Sequence, residues 1–339
     1  MARRGGWTRK GSKRSGFRYY DARGREITDD AKLERIAALV IPPAWKEVWI
    51  SPSGTAKLQA TGVDAAGRRQ YLYHPAFRAA QEQAKFDKLI RFAEALPAFR
   101  EAMASHMELD ELAPEWTCAV AVRLINLGWF RVGEERYAKE HKTFGITTLR
   151  KTHVSVRGSR IAFKFRGKHR IWVRTAVVDS ELASAMRALI RTKGGRRLFR
   201  YRLDDELYNL TARRLNDYIG EFMGEEFTAK DFRTWGGTLI AAIALAEKGP
   251  SESDTEAKRC VAAVMRVVGE RLGNTPAVAR ASYVSPAVVE QYLDGRTIDD
   301  FRPRHLRVVG ARDLGLDLEE QALVSLLRSW RIRRARKAA

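Results

Sequence analysis

The spacing of hydrophobic and polar residues changes character once along this chain, near residue 80. Before that point, short segments alternate between apolar and polar residues, as half-buried strands do. This alternation predicts strands at Glu47–Ser51, Lys57–Gly62 and Gln70–His74, together with one helix at Asp29–Leu39. Turn-forming residues at Asp64–Gly67 stand between the last two strands and predict a hairpin. Residues 1–80 are therefore predicted to form a small sheet-rich domain.

After residue 80, apolar residues recur mostly at helical spacing. Gln81–Met107 is predicted as a helix because Phe86, Leu89 and Ala93 fall on one face. Further helices are predicted at Ser180–Arg191, Asp204–Met223, Trp235–Leu245, Thr255–Leu272, Pro276–Ala281 and Pro286–Asp294.

One part of this helical region alternates instead. The alternating segments are Thr152–Arg157, Arg160–Phe165 and His169–Arg174. Turns containing Gly158 and Gly167 separate them, which predicts a three-stranded antiparallel meander. The predicted fold class is therefore α+β, with a sheet-rich domain at residues 1–80 and a mainly helical domain at residues 81–339.

Charge narrows the choice of partner. The chain of 339 residues contains 62 Lys and Arg against 41 Asp and Glu, a formal net charge of +21. Such a surface attracts polyanions through counterion release, independent of their sequence. Ribosomal and membrane-surface proteins share this property, but no long basic amphipathic helix favours a membrane. Nucleic acid is the expected partner.

Basic residues are concentrated at both ends of the chain. Residues 1–20 contain seven Arg or Lys and no acid, which predicts a flexible basic arm. Residues 328–337 contain six more and are predicted to form a basic tail after a helical stretch at Leu314–Trp330. Two roles remain open for both segments, namely contact with phosphates or solubility alone.

Several classes of function lack their sequence signatures. No segment approaches the roughly 18 apolar residues of a membrane span, and the first residues lack an apolar signal core. The two cysteines are far apart, and the histidines at positions 74, 106, 141, 153, 169 and 305 have no metal-ligand spacing. No Gly-rich phosphate loop or paired acidic motif is present. We expect a cytoplasmic, nucleoid-associated protein that needs no metal, ATP or other cofactor.

One tyrosine stands between two predicted helices late in the chain. Thr275 and Pro276 have the residue types that begin a helix, and Ser285 and Pro286 begin the next in the same way. The sequence therefore places Tyr283 in a short break. Its phenol is a candidate nucleophile for a phosphodiester, and the alternative is a helical hairpin with a packing tyrosine.

Attack of a phenol on a phosphodiester makes specific demands. Negative charge on the nonbridging oxygens suits bidentate guanidinium groups, and the leaving sugar oxygen needs a proton. Besides the tyrosine, this reaction needs two arginines, a general acid and one further hydrogen-bond donor. Candidates for these groups occur in four segments, Gly128–Tyr137, Phe163–His169, Lys230–Thr238 and Asn274–Tyr283.

These four segments, in this order, resemble the type IB DNA topoisomerases in their short bacterial and poxvirus form. The resemblance extends through Phe144–Leu149 and, in the small domain, through Gly67–His74. It spans nearly the whole chain. The resemblance implies a C-shaped clamp around double-stranded DNA, formed by a monomer whose two domains cover opposite faces of the duplex.

The resemblance also implies roles for individual residues. Arg131 and Arg233 match the two arginines expected on the scissile phosphate, and Lys168 matches the general acid at a hairpin tip. Tyr283 matches the nucleophile. Asn274 occupies a position where many members carry histidine; an amide can donate to a nonbridging oxygen but cannot shuttle a proton.

Each of these residues also has an ordinary structural interpretation. Arg131 could pair with Glu134 or Glu135, and Arg233 with Asp231 or Asp205. Lys168 could be a surface turn residue, and Asn274 a helix N-cap.

The last strand of the small domain carries the candidates for direct DNA contact. In the family this strand faces DNA, which implies contacts by Arg68, Gln70, Tyr71 and Tyr73. Alternation places Tyr71 and Tyr73 on one face of the strand. The alternative is that this aromatic face packs on the core of the small domain.

The implied function is relaxation of supercoiled DNA through a transient 3′-phosphotyrosyl link, without ATP or metal. A tyrosine recombinase is one alternative, although its second arginine commonly lies in His-x-x-Arg and Lys230 stands here at the first position. A noncatalytic DNA-binding protein is the other alternative.

Overall fold

The computed structural model describes residues 5–302 and 315–338. The chain divides between Lys85 and Phe86 into two compact units, which are described separately. The predicted division lies at residue 80. Among the described residues, no helix is long and apolar enough to cross a membrane.

The elements of the N-terminal unit are β1 (Trp7–Ser12), β2 (Gly16–Tyr20), α1 (Asp30–Ala38), β3 (Lys46–Ile50), β4 (Leu58–Val63) and β5 (Arg69–Tyr73). The five strands form one antiparallel sheet in the order β2-β1-β3-β4-β5. The predicted helix, strand and hairpin are confirmed within one or two residues. The small core includes Trp7, Ile36 and Ile50.

The prediction of a flexible arm is wrong for residues 7–20, which form β1 and β2. Trp7 is buried in the core of the unit, so this end of the arm is anchored by apolar burial. The Arg9 guanidinium donates to the carbonyls of Pro42 and Trp45 at 3.0 and 2.7 Å and lies over the Phe17 ring. Residues 1–4 of the predicted arm lie outside the described residues.

The C-terminal unit is mainly helical. Helix α2 (Pro75–His106) begins in the N-terminal unit and continues into this one. The further helices are α3 (Pro114–Gly128), α4 (Glu135–Glu140), α5 (Ser180–Arg191), α6 (Ala212–Met223), α7 (Ala229–Lys248), α8 (Asp254–Leu272), α9 (Pro276–Tyr283), α10 (Pro286–Leu293) and α11 (Leu318–Ala338). The α+β fold class is confirmed.

The predicted meander is present as an antiparallel sheet of β6 (Val154–Arg157), β7 (Arg160–Arg166) and β8 (Trp172–Val178). Its third strand begins later than predicted because Lys168–Arg170 form a short 3₁₀ turn. Side chains on one face are buried, including Phe163 and Phe165.

The helix predicted from Asp204 is wrong at its beginning. Strands β9 (Arg200–Leu203) and β10 (Glu206–Asn209) form a hairpin, and α6 begins only at Ala212. Asp204 and Asp205 both adopt the left-handed conformation, with φ of 48° and 63°. Asp tolerates this conformation in tight turns better than most residues do, and this turn is incompatible with a helix.

The basic tail is also structured differently from the prediction. Helix α11 extends through the basic residues, where Arg328 pairs with Glu94 and Arg333 pairs with Asp294. Part of this basic charge is therefore neutralised inside the C-terminal unit. Leu314, where the helical stretch was predicted to begin, and His305 lie outside the described residues.

A buried carboxylate ties three helices of the C-terminal unit together. Glu320 of α11 accepts two hydrogen bonds from Arg100 of α2, at 2.9 and 2.8 Å. It also accepts one at 3.0 Å from the indole of Trp235 in α7. Because Arg233 lies on the same helix as Trp235, this network helps to fix the element that carries a candidate catalytic arginine.

Glu320→Ala should destabilise the C-terminal unit by about 3–5 kcal/mol, because it leaves the Arg100 charge buried without its partner. Urea unfolding followed by circular dichroism measures this change. Glu319→Ala is the matched control, since Glu319 lies beside it and forms only a half-exposed ion pair with Arg302 at 3.8 Å. It should cost less than about 1 kcal/mol. Equal effects of both variants would contradict the role assigned to Glu320.

Candidate active site

Arg131 lies in the loop that follows α3. Trp129 caps that helix in a left-handed conformation and turns the chain away from its axis. The carbonyls of Arg131 and Val132 accept the amides of Ile146 and Thr147 at 2.9 and 2.8 Å. The sequence motif Phe144–Leu149 thus supports the backbone on which Arg131 lies.

A close backbone approach completes this support. A Cβ atom on Gly145 would lie 2.5 Å from the Arg131 carbonyl oxygen and 2.5 Å from the Gly133 nitrogen. Gly133 itself has φ of +92°, which favours glycine. Glycine is therefore required on both sides of this contact.

Lys168 lies in the connection between β7 and β8, as predicted. The Gly167 amide donates to the Ile171 carbonyl at 2.8 Å and closes the tight turn. The Phe144 amide donates to the Arg166 carbonyl at 2.7 Å, which links this hairpin to the segment behind Arg131. The Lys168 side chain is exposed and, within the described residues, forms no ion pair.

Arg233 lies inside α7, in contrast to the prediction of a loop before a helix at Trp235. The helix begins earlier because the Asp231 carboxylate caps it, accepting the Thr228 amide at 2.8 Å and the Thr228 hydroxyl at 3.0 Å. Arg233 is 4% exposed and donates to the carbonyls of Trp129 and Leu272, the latter at 2.8 Å.

The ion pairs considered for the two arginines do not form in the described residues. Asp231 pairs with Lys88 at 3.0 Å, and Glu135 pairs with Arg197. Arg131 donates instead to the Gly273 carbonyl at 2.8 Å and to Asn274 Oδ1 at 2.7 Å. Both guanidinium groups therefore keep their positive charge without a carboxylate.

Tyr283 is the last residue of α9, so it lies one position before the break in which the sequence placed it. Buried Thr238 of α7 holds this end of the helix. Its hydroxyl is shared between the carbonyls of Thr234 and Tyr283, at 2.8 and 3.1 Å, and accepts the Ser285 amide at 3.1 Å. The backbone on both sides of the break is thereby fixed to α7.

The fold brings four of the five predicted catalytic residues together as two contacting pairs. The Arg233 guanidinium carbon lies 4.9 Å from the centre of the Tyr283 ring, and Arg131 binds Asn274. Lys168, Arg131 and Arg233 line one cleft of about 470 Å³. The five residues come from four separate segments of the chain.

Electrostatics favour an anion at this site. Burial and then the charge of Arg233 lower the pKa of Arg131 to about 10, so Arg131 is still a cation at neutral pH. Burial likewise lowers the pKa of Arg233. Arg233 is buried and Arg131 is partly buried. Two such adjacent cations repel each other, and a bound phosphate would relieve that repulsion.

The same charges act on the tyrosine. Burial by itself would raise the pKa of the Tyr283 phenol, but the charges of Arg233, Arg131 and Lys230 outweigh it. The net pKa is below the ordinary value of 10.0. A phenol with a lowered pKa is the form of tyrosine that a nucleophilic role needs.

Asn274 is not the N-cap of α9, because that position belongs to Thr275, whose hydroxyl accepts the Val278 amide. The Asn274 amide nitrogen donates to the Leu272 carbonyl at 3.3 Å while its oxygen accepts from Arg131. The side chain is thus oriented by the carboxyl end of α8 and holds Arg131.

In the N-terminal unit, the predicted DNA-contact residues occupy β5 and its turn. Tyr71 and Tyr73 are 49% and 42% exposed, with ring centres 6.2 Å apart, so they do not pack on the core. Arg68 and Gln70 both bind Asp64, at 2.8 Å in each case. The structure thus leaves the two tyrosines exposed and orients the other two side chains through a carboxylate.

Sequence reasoning missed three residues that bear on the site. The Trp129 carbonyl accepts a hydrogen bond from Arg233, and the Thr238 hydroxyl holds the backbone of Tyr283 by a hydrogen bond to its carbonyl. Neither role has a local sequence signal. Lys230 lies three positions before Arg233 on α7, and that helical spacing is a signal that could have indicated a second cation near the tyrosine.

Comparison with known proteins identifies the family. Residues 74–299 match the family described as eukaryotic DNA topoisomerase I, catalytic core, and residues 16–64 match bacterial DNA topoisomerase IB, N-terminal domain. The chain belongs to the type IB DNA topoisomerases. The family inferred from the ordered motifs is confirmed, and with it the enzyme class, an isomerase.

Viral type IB topoisomerases are among the similar proteins. DNA topoisomerase 1B of Acanthamoeba polyphaga mimivirus is 31% identical over 284 residues, covering 81% of this chain and 84% of that protein. DNA topoisomerase 1B of vaccinia virus (strain Copenhagen) is 23% identical over 272 residues, covering 77% and 79%. DNA topoisomerase 1 of rabbit fibroma virus (strain Kasza) is 24% identical over 254 residues, covering 73% and 76%.

With Tyr283 as the expected nucleophile, Gly237→Ala should slow formation of its covalent link to DNA by about 100-fold, the cost of misplacing a reacting group by roughly 1 Å. The added Cβ would lie 2.7 Å from the Tyr283 carbonyl oxygen and 2.9 Å from its Cβ, so the end of α9 must shift. Single-turnover adduct formation on a duplex substrate measures the rate.

Gly220→Ala is the control for this variant. Gly220 lies in α6, and its Cβ would meet only Glu225 Cα, just after that helix, at an ordinary contact distance of 3.5 Å. Adduct formation should be unchanged there. A Gly237→Ala protein as fast as the control would show that the close approach does not position Tyr283.

Proposed function

We propose that this type IB topoisomerase relaxes supercoiled duplex DNA with Tyr283 as the nucleophile and with Arg131, Arg233, Lys168 and Asn274 as its catalytic partners. The observation that carries the assignment is a pair of arginines beside the tyrosine, Arg233 buried and Arg131 partly buried, with no carboxylate bound to either among the described residues. Buried charges in proteins are ordinarily paired. A scissile phosphate is the anion that would complete this pair.

The reaction exchanges one phosphodiester for another. The Tyr283 oxygen attacks the scissile phosphorus, a bond forms between them, and the bond from phosphorus to the 5′-oxygen breaks. The DNA is left with a 3′-phosphotyrosyl link and a free 5′-hydroxyl. Reversal of the same attack by that hydroxyl reseals the strand.

Each partner has a defined part in this exchange. Arg131 and Arg233 bind the nonbridging oxygens, where negative charge is largest, and their planar donors suit that geometry. Asn274 orients Arg131 and donates through its amide to a nonbridging oxygen. Lys168 gives its proton to the departing 5′-oxygen, which would otherwise leave as an unstable alkoxide. The phenol gives its own proton to solvent, assisted by the neighbouring cations.

No external energy source is needed for this cycle. One phosphodiester replaces another of similar energy, and torsion in the DNA drives rotation of the free 5′ end between cleavage and resealing. We propose that the enzyme acts as a monomer that clamps DNA, is of bacterial origin and associates with the nucleoid. The exposed Tyr71 and Tyr73, with Arg68 and Gln70, would contact the duplex from the N-terminal unit.

A supercoiled plasmid incubated with the protein in EDTA and without ATP should become relaxed. Tyr283→Phe lacks the attacking oxygen and should lose this activity entirely while retaining DNA binding. Agarose gel electrophoresis measures relaxation, and denaturing electrophoresis of labelled DNA detects the covalent adduct. Tyr292→Phe is the control, since Tyr292 lies in the neighbouring helix α10 and its hydroxyl donates to the Gly249 carbonyl.

The other outcomes distinguish the alternatives. Relaxation by Tyr283→Phe would show that another residue is the nucleophile. Activity restricted to plasmids with paired recombination sites would favour a recombinase. If the unmodified protein binds DNA but forms no covalent adduct, the result would favour a noncatalytic DNA-binding protein.

The rate of adduct formation should rise about tenfold per pH unit and level off below pH 10, because the phenolate attacks and its pKa is lowered. A duplex with a 5′-thiol leaving group isolates this step, since a thiolate leaves without a proton. Lys230→Met removes one of the stabilising charges, so the pKa of Tyr283 should rise. The profile should then level off at higher pH, and the rate at pH 7 should fall.

Lys258→Met is the charge-matched control for this experiment. Lys258 is an exposed residue of α8 and is not among the charges that act on Tyr283. Its profile should match that of the unmodified protein. Identical profiles for all three proteins would contradict the proposed effect of Lys230.

A further inference from the structure

The outer face of the β7–β8 hairpin has a composition that the catalytic assignment does not use. Side chains alternate along both strands, so Phe163 and Phe165 point into the core while Lys164 and Arg166 point outward. On β8, Trp172 and Arg174 are exposed, and they pair in register with Arg166 and Lys164. Trp172 therefore shares this face with three cations.

Trp172 is exposed to an unusual degree for so large an apolar side chain. It is 48% exposed, and the neighbouring Ile171 is 51% exposed. The Arg166 guanidinium and the Lys164 ammonium lie 5.2 and 5.9 Å from the centre of its ring. An exposed aromatic group within a positively charged face is typical of a surface that binds nucleic acid.

The cations on this face are not neutralised from within the protein. Across residues 5–302 and 315–338, Lys164, Arg166 and Arg174 form no ion pair with a carboxylate. Fixed positive charge without a protein partner complements the phosphates of a polyanion. The charge thus favours DNA over an apolar or a basic protein surface.

The face is also continuous with the cleft of the active site. Ile171 and Trp172 line the same cleft as Arg131, Lys168 and Arg233. Trp172 follows Lys168 by four residues across a tight turn, which places their backbones within roughly 10 Å of each other. At about 3.4 Å per base step, that distance corresponds to roughly three base pairs.

We propose that this face, defined by Lys164, Arg166, Trp172 and Arg174, binds the duplex that carries the leaving 5′ end and resists its rotation. The inference rests on the proposed function, because Lys168 at the 5′-oxygen decides which end of the DNA lies beside Trp172. The cations contact phosphates, and the indole contacts the sugars and base edges of the adjoining groove. Rotation of the free end must break these contacts, so Trp172 limits the number of turns between cleavage and resealing.

Equilibrium binding of a short duplex across a range of salt concentrations tests the surface, in a Tyr283→Phe background that cannot cleave. Arg174→Ala should reduce the slope of log affinity against log salt by about 1, because one phosphate contact is lost. Trp172→Ala should weaken binding by about tenfold at every salt concentration and leave the slope unchanged, since an apolar contact releases no counterion. Trp172→Phe should retain most of the affinity, which separates loss of contact from loss of folding.

Tyr208→Ala is the matched control, an aromatic residue that is 42% exposed on the β9–β10 hairpin. It should change neither the affinity nor the slope. If Trp172→Ala and Arg174→Ala bind DNA as the control does, the proposed surface is wrong.

Rotation is measured with Tyr283 restored, by following single supercoiled DNA molecules under constant tension. Trp172→Ala should remove several-fold more turns per cleavage event than Trp172→Phe or Tyr208→Ala. An unchanged number of turns would overturn the role in rotation. Absence of any covalent adduct from the unmodified protein would overturn the proposed catalytic function. The equilibrium binding measurements would still decide whether this face contacts DNA.

Discussion

The site depends on one interaction, the binding of two arginines by the carboxyl ends of helices. Arg233 donates to the carbonyls of Trp129 and Leu272, where α3 and α8 end, and Arg131 donates to that of Gly273. Unpaired carbonyls at a helix end carry partial negative charge and are natural acceptors for guanidinium groups. They hold the two side chains in place without cancelling their charge. A carboxylate in the same position would have neutralised the pair and left nothing to attract a phosphate.

Close packing then fixes the distance between this pair and the tyrosine. Because Gly237 has no side chain, the backbone of Tyr283 can pack closely against α7. Gly145 likewise allows a close approach of the segment that carries Arg131. Thr238 adds a hydrogen-bonded connection between α7 and the end of α9. Because α7 also carries Arg233, one helix positions both the cation and the tyrosine that we propose as the nucleophile. This arrangement explains why the phenol has a lowered pKa despite its burial.

Local signals predicted much of the fold. From their capping residues, the ends of α9 and α10 were predicted to within two residues. The alternation of apolar and polar residues predicted the meander and the hairpin of β4 and β5. The errors occurred where distant contacts decide the outcome. Residues 7–20 are a strand pair because Trp7 is buried by another part of the unit, and α7 begins early through the capping pair of Thr228 and Asp231.

The candidate site divides in the same way. The ordered motifs were sufficient to name the residue types, their family and the expected chemistry, since each motif is a short run that local sequence specifies. Which partners those residues take could only follow from tertiary structure. Hydrogen bonds from Arg131 to Gly273 and from Arg233 to Trp129 join residues more than 100 positions apart. Sequence spacing carries no information about such contacts, and they decide that both arginines stay uncompensated beside Tyr283.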